Sequence, residues 1–184
     1  QMLVLWEQDP DSTAYNMAGG VEELPSNTSL TQVEDALEWI VARHEALRTK
    51  FVRAKGAAPP IQEVIFAKNY EVSIEILQMA GGGGRKEAGV LMQKHMERPY
   101  DLYTGPLTRF AVVSEGKTAR CLRIDMHHSI SDGWSIGVLK RELWHHLAQA
   151  NDSAAPAVDA LITKNDISDC KLHPAPTLTL GDGD

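Results

Sequence analysis

The sequence predicts a layered α/β or α+β domain. Three observations carry this reading: helical spacing of apolar residues over 30–48, period-two alternation in segments further along, and the irregular succession of the two patterns.

Residues 30–48 hold the strongest helical pattern. Val33, Ala36, Leu37, Ile40, Val41 and Leu47 recur mostly on one face. Thr31 with Glu34 fits a capping box, in which each side chain satisfies a backbone N–H at the helix start. Gly56 to Pro60 is a turn signal. Two strands are expected next, Ile61 to Phe66 and Tyr70 to Leu77. In the second, Val72, Ile74 and Ile76 alternate with Ser73 and Glu75, so one face is buried and the other wet. Gly81 to Gly84 breaks the chain, and this run lacks the Gly-Lys-Ser/Thr of a phosphate-binding loop, so it reads as a linker. Residues 85–97 read as a helix and Gly105-Pro106 as a turn. Leu107 to Val113 and Ala119 to Met126 read as strands joined at Ser114–Lys117. A helix from about Trp134 to Gln149 turns Ile136, Leu139, Leu143 and Leu147 toward the core. Beyond Ala150 the composition shifts to Ala, Asp, Ser, Pro and Gly. The domain is therefore expected to span 1–150, with 151–184 a poorly ordered tail.

A chain of 184 residues fits one domain, and 43% hydrophobic with 23% charged residues is ordinary for a globular protein. The net charge of −7, with no basic run, argues against nucleic acid as the main partner. No apolar run approaches the roughly 18 residues a membrane span needs. The opening Gln-Met-Leu-Val-Leu-Trp has no basic start or cleavage site of a signal peptide, and a start on Gln reads as a fragment or a processed piece. Cys121 lies in an apolar strand and Cys170 in the tail. Two such cysteines make neither a disulfide framework nor a zinc site, which sets a reducing, cytoplasmic expectation with Cys121 as a small buried hydrophobe.

The informative stretch lies between the strand ending at Met126 and the helix opening at Trp134. It reads Met-His-His-Ser-Ile-Ser-Asp-Gly-Trp-Ser from Met126 to Ser135. Histidines at a strand end can be held rigidly while facing a cleft, and a neutral imidazole can take a proton near pH 7. Acyl transfer needs such a base, because the attacking amine or hydroxyl loses a proton. Asp132 followed by Gly133 could fix the turn and leave a backbone N–H near a developing oxyanion. Asp132 also has a plainer reading as the N-cap of the following helix, and Gly133 as a turn residue. His128 and Asp132 offer only two metal ligands and no third stands at a suggestive spacing, so no metal site is expected.

His127-His128-Ser129-Ile130-Ser131-Asp132-Gly133 resembles the His-His-x-x-x-Asp-Gly motif of nonribosomal peptide synthetase condensation domains, including the Trp-Ser that follows. Arg43 to Phe51, reading RHEALRTKF, is similar to that family's second block. Leu5-Trp6 with Ala14 to Met17 resembles the first, and Tyr100-Asp101-Leu102, Gly105-Pro106-Leu107 and Arg109 resemble a third, with Tyr in place of Phe. The resemblance covers about residues 3–149. It implies one lobe of a chloramphenicol acetyltransferase-like fold, an α/β (α+β sandwich) arrangement with a mixed sheet flanked by helices. It implies His128 as catalytic base or as the group that positions the amine, His127 and Gly133 as structural, and Asp132 clamped by an arginine, for which Arg48 matches, with Arg43 as the alternative. It also implies upstream and downstream carrier domains that present substrates as thioesters on phosphopantetheine arms, with no cofactor bound directly. The partner lobe that would close the tunnel has no recognisable counterpart after Ala150, so the isolated chain is expected to be weak or inactive in peptide-bond formation.

Other readings stay open beside it. A CoA-dependent acyltransferase shares the His-x-x-x-Asp core. An epimerization domain shares the histidine motif, and a non-catalytic remnant would retain the lobe without the chemistry.

Overall fold

The computed structural model describes residues 2–53, 60–79, 88–90, 92–93 and 98–151. The expected glycine linker at 81–84, Cys170 and the expected tail after 151 lie outside the described residues.

A short helix α1 (Met2–Gln8) leads into β1 (Asn16–Glu23) and then α2 (Leu30–Arg43). A 3₁₀ turn (Glu45–Arg48) opens β2 (Thr49–Val52), which pairs antiparallel with β3 (Ile61–Val64) in a two-stranded sheet. After β4 (Ile74–Gln78) the chain includes helical residues at 88–90 and 92–93. The hairpin β5 (Thr108–Glu115) and β6 (Thr118–His127) follows, and then the long helix α3 (Gly133–Asn151).

The main sheet runs β1-β6-β5-β4. β6 pairs antiparallel with both β1 and β5, whereas β4 and β5 are parallel, so the sheet is mixed as expected. A parallel pair cannot be closed by a tight turn, which is why β4 and β5 are separated by the long 79–107 crossover. β5 and β6 meet at Gly116 and Lys117 alone, and Gly116 supplies the left-handed φ of 61° that a two-residue hairpin needs. Both strands therefore run further toward the turn than the alternation predicts.

Both faces of the sheet are covered, so β5 and β6 read as nearly continuous buried runs. α2 and α3 cover one face. Leu37, Ile40, Leu143 and Leu147 from the helices meet Phe110, Val112, Leu122 and Met126 from the strands. Each such side chain contributes roughly 1.5–3 kcal/mol by leaving water. Ala88, Met92, Ala111, Val113 and Cys121 pack on the opposite face, with Cys121 free and buried. β1 lies against β6 closely enough that a Cβ on Gly19 would fall 2.2 Å from the Ile124 carbonyl oxygen, so only glycine fits there.

Several expectations shift. The capping box belongs to Ser29 and Gln32, earlier in the chain than Thr31 and Glu34: Ser29 Oγ accepts from Gln32 N and the Gln32 side chain accepts from Ser29 N. The helical run does not continue to 48. His44 is extended (φ −106°, ψ 108°), and the chain re-forms as a 3₁₀ turn. Strand β4 begins at Ile74, and the single buried face expected of Val72, Ile74 and Ile76 is not kept. Val72 and Ile74 pack toward the helices, while Ile76 is exposed and Leu77 packs on the other side.

Candidate active site

β6 ends at His127, and a short loop later the chain opens α3 at Gly133. Strand pleating sends Leu122, Ile124 and Met126 toward α2 and α3, so Arg123, Asp125 and His127 share the other face. Arg123 and Asp125 form a buried ion pair, with Arg123 Nε 2.9 Å from each carboxylate oxygen.

His127 is only 1% exposed. Its Nδ1 accepts the Ser129 backbone N–H at 3.1 Å, and Ser129 Oγ lies 2.8 Å from the same nitrogen. The rings of Tyr15 and Tyr100 meet it edge-on, with centroids 6.4 and 5.8 Å away. Burial, aided by the neighbouring His128, pushes its pKa down to about 4. The ring is thus neutral at pH 7, and its one lone pair is already engaged by Ser129.

His128, by contrast, is exposed. Its backbone N–H donates to the Tyr15 carbonyl at 2.9 Å. Its Nδ1 lies 2.8 Å from the Ser131 carbonyl oxygen. A carbonyl can only accept, so Nδ1 carries the proton, and the lone pair of the neutral ring is left on Nε2. Such a nitrogen can receive a proton or an N–H hydrogen bond. The turn beneath is closed by Ile130 N and Ser131 Oγ, which both donate to the His127 carbonyl, at 3.1 and 3.3 Å.

Asp132 caps α3. One carboxylate oxygen accepts from Ser135 N at 2.7 Å and from Ser135 Oγ at 2.6 Å, and these hydrogen bonds hold its pKa below the usual value. Gly133 has no left-handed φ, and a Cβ added there would meet nothing within 4 Å. Its lack of a side chain is therefore not required by packing or backbone conformation among the described residues.

The structure does not bring Arg48 to Asp132, and the expected ion pair is absent among the described residues. The Arg48 guanidinium is buried and donates to the carbonyls of Val41 and Ala42, at 2.9 and 3.2 Å, and to that of Ile65. These carbonyls lie at the C-terminal end of α2 and beside β3, where a cation offsets the helix's negative pole. Arg43 is engaged elsewhere, pairing with Glu142 at 2.8 Å. Asp132 has its own partner within the next helical turn, so the clamp expected from another element is replaced by a local cap.

Three serines set this geometry, two of them, Ser129 and Ser131, at positions the motif leaves unspecified. Ser129 holds the His127 ring, the Ser131 carbonyl fixes the His128 tautomer, and Ser135 completes the cap. Their signal is the habit of Ser beside turns and helix starts of bonding nearby backbone.

A cleft of about 190 Å³ lies behind the loop, lined among others by His44, Leu47, Ile130, Ser131, Trp134 and Ser135. Trp134 stands over it and is 69% exposed.

The chain is similar to known proteins. The model of the Condensation domain family matches residues 1–158. The chain belongs to the condensation domain family. Among curated relatives, bacitracin synthase 3 of Bacillus licheniformis is 37% identical over 143 residues, which is 78% of this chain and 2% of that protein. Surfactin synthase subunit 2 of Bacillus subtilis (strain 168) is 32% identical over 143 residues, 78% of this chain and 4% of the relative. Among solved structures, the starter condensation domain of rhizomide synthetase shares the fold with a TM-score of 0.71 at 19% identity, over 85% of this chain and 37% of that one. A condensation domain of the enacyloxin polyketide synthase, solved for its role in chain release, matches at 27% identity and a TM-score of 0.65, over 79% of this chain and 28% of that one. The chain thus carries the condensation-domain fold, a mixed sheet flanked by helices, and spans a small part of the synthetases it resembles.

Proposed function

We propose that this lobe carries the catalytic loop for transfer of an acyl group from a carrier-bound thioester to the amine of a carrier-bound aminoacyl acceptor, forming a peptide bond. The observation that carries the reading is the fixed tautomer of His128. Its Nδ1–H is committed to the Ser131 carbonyl, and its exposed ring keeps Nε2 free to accept. In the reaction the amine nitrogen attacks the thioester carbonyl carbon. His128 Nε2 accepts the amine's hydrogen bond and its proton as the C–N bond forms. The C–S bond then breaks, and the proton passes to the departing thiolate. His127 keeps the strand end rigid, while Asp132 and Gly133 open α3 so that the Ser131 carbonyl faces the His128 ring.

The substrates arrive on phosphopantetheine arms of upstream and downstream carrier domains in the cytoplasm, and a second lobe supplies the opposite tunnel wall. Among the described residues no helix is long and apolar enough to cross a membrane. Two arms must be held in line and water excluded, which is worth several kcal/mol of barrier, so the lobe alone is expected to be a poor catalyst.

The test is His128→Ala in the intact synthetase, with donor and acceptor carriers preloaded and the dipeptidyl carrier followed by intact-mass spectrometry. Product formation should fall by roughly 10²–10⁴-fold with the circular dichroism spectrum unchanged. Undiminished product would remove His128 from the chemistry. Efficient turnover with a free acyl-CoA donor in place of the loaded carrier would favour the CoA-dependent reading.

A further inference from the structure

The end of α2 and the middle of α3 are joined by one carboxylate. Glu142, well inside α3, receives Arg43 Nε and His44 Nε2 on the same oxygen, each at 2.8 Å. Its pKa is held below the usual carboxylate value despite partial burial, with hydrogen bonds and charge from both partners opposing the cost of desolvation. His44 is the residue at which α2 stops. The other cation at this junction, Arg48, is spent on the helix carbonyls.

His44 also lines the cleft behind the motif loop, together with Trp134 and Ser135. The floor of the loop, Ser131, lines the same cleft, and the carbonyl of Ser131 is the group that holds His128 Nδ1. Ser131, Trp134 and Ser135 thus border a space of about 190 Å³. Its lining includes His44, Ala46 and Leu47, just past the end of α2, and Trp134, Ser135, Val138 and Leu139 from the first turns of α3. Glu142 ties the two helices on the side nearer the loop. A second hydrogen bond between them, from Gln32 Nε2 to the Ala150 carbonyl at 3.2 Å, lies at their far ends.

We propose that Glu142 is a positioning residue for the acyl transfer: by holding Arg43 and His44 together it fixes the cleft behind the loop, and through Ser131 it fixes the direction of His128. It touches no substrate. This rests on the function proposed above, and it adds a residue of the α3 body to the machinery of that loop.

Two measurements test it independently. The first needs no turnover: amide hydrogen exchange of this 184-residue chain, compared with its Glu142→Ala variant. Exchange over 128–136 should quicken by tenfold or more, on the order expected for local opening, while β5 and β6 stay protected. The second is steady-state kinetics in the intact synthetase with loaded carriers. Glu142→Ala should lower kcat by about 10–100-fold, as expected for a small misplacement of a reacting group, and leave KM for both carriers unchanged. Should Glu142→Ala not fold, Glu142→Gln is read in its place, since it keeps the volume and one acceptor oxygen but removes the charge. Loop exchange and kcat at wild-type values in a folded variant would overturn the proposal. So would a loss that appears only in KM or as a uniform drop in protection across the sheet. A wild-type synthetase that forms no peptide bond, with loop exchange still quickened in the variant, would instead count against the function and leave the positioning role standing.

Discussion

The residues around the motif differ in how well they are satisfied. Tyr100 is 2% exposed, and its hydroxyl has no hydrogen-bond partner among the described residues. Its ring nevertheless works on both sides, with the Arg109 guanidinium 3.8 Å from the centroid and the His127 edge beside it. The expected outcome of Tyr100→Phe is a gain of about 1 kcal/mol in denaturant unfolding, because the desolvated hydroxyl is removed and the ring is kept. A loss of stability would show that the hydroxyl is bonded. His127 gives a pH signature. Its folded pKa of about 4 lies below the unfolded value of 6.5, so between these values the unfolded chain binds more protons. The stability that His127 contributes is complete above pH 6.5 and is lost as pH falls toward 4. Melting temperatures of the wild type should therefore decline across that window more steeply than those of His127→Asn. Parallel profiles would mean that His127 titrates normally in the fold.

At the scale of elements, caps and junctions decide what the periodicity leaves open. Both Ser29-x-x-Gln32 and Thr31-x-x-Glu34 satisfy the capping-box pattern, and nothing local separates them. The sheet makes the choice. Leu30 N donates to the Lys117 carbonyl, Ala119 N donates to the Thr28 carbonyl, and Ser29 bridges Thr118, so Ser29 is held extended beside the hairpin and the helix starts at Leu30. The end of α2 is set in the same way, by Arg48 taking two of its last carbonyls and by the Glu142 contact with His44. α3 begins on its own terms, with Asp132 and Ser135 three residues apart. Asp132→Ala should lower the melting temperature and fray the first turn of α3, whereas Asp132→Asn, which can accept the same N–H, should keep both. If alanine and asparagine behave alike in thermal melts, the cap is not what Asp132 provides.

At the scale of the molecule, the mixed sheet sorts side chains by face. Its helix side is apolar, while the side bearing His127 also buries the Arg123–Asp125 pair. Such a pair is costly to desolvate and contributes more to orientation than to stability. The motif residues His127, His128, Asp132 and Gly133 were legible in the sequence because they lie close together, and a strand end followed by a helix start displays them as a group. The expected link from Asp132 to Arg48 was not, since 84 positions separate them and only packing determines whether two such groups meet. Glu142 was hidden for the same reason, as one charged residue on a helix whose apolar stripe is all that periodicity registers. Local chemistry determined by the sequence alone therefore includes α2 and α3, the hairpin, the motif loop and the family, though not the short helix α1. Three things rested with the tertiary structure: which capping box forms, where α2 stops, and which partner each buried or half-buried charge takes. These depend on distances between segments far apart in the chain, and a linear pattern does not encode them.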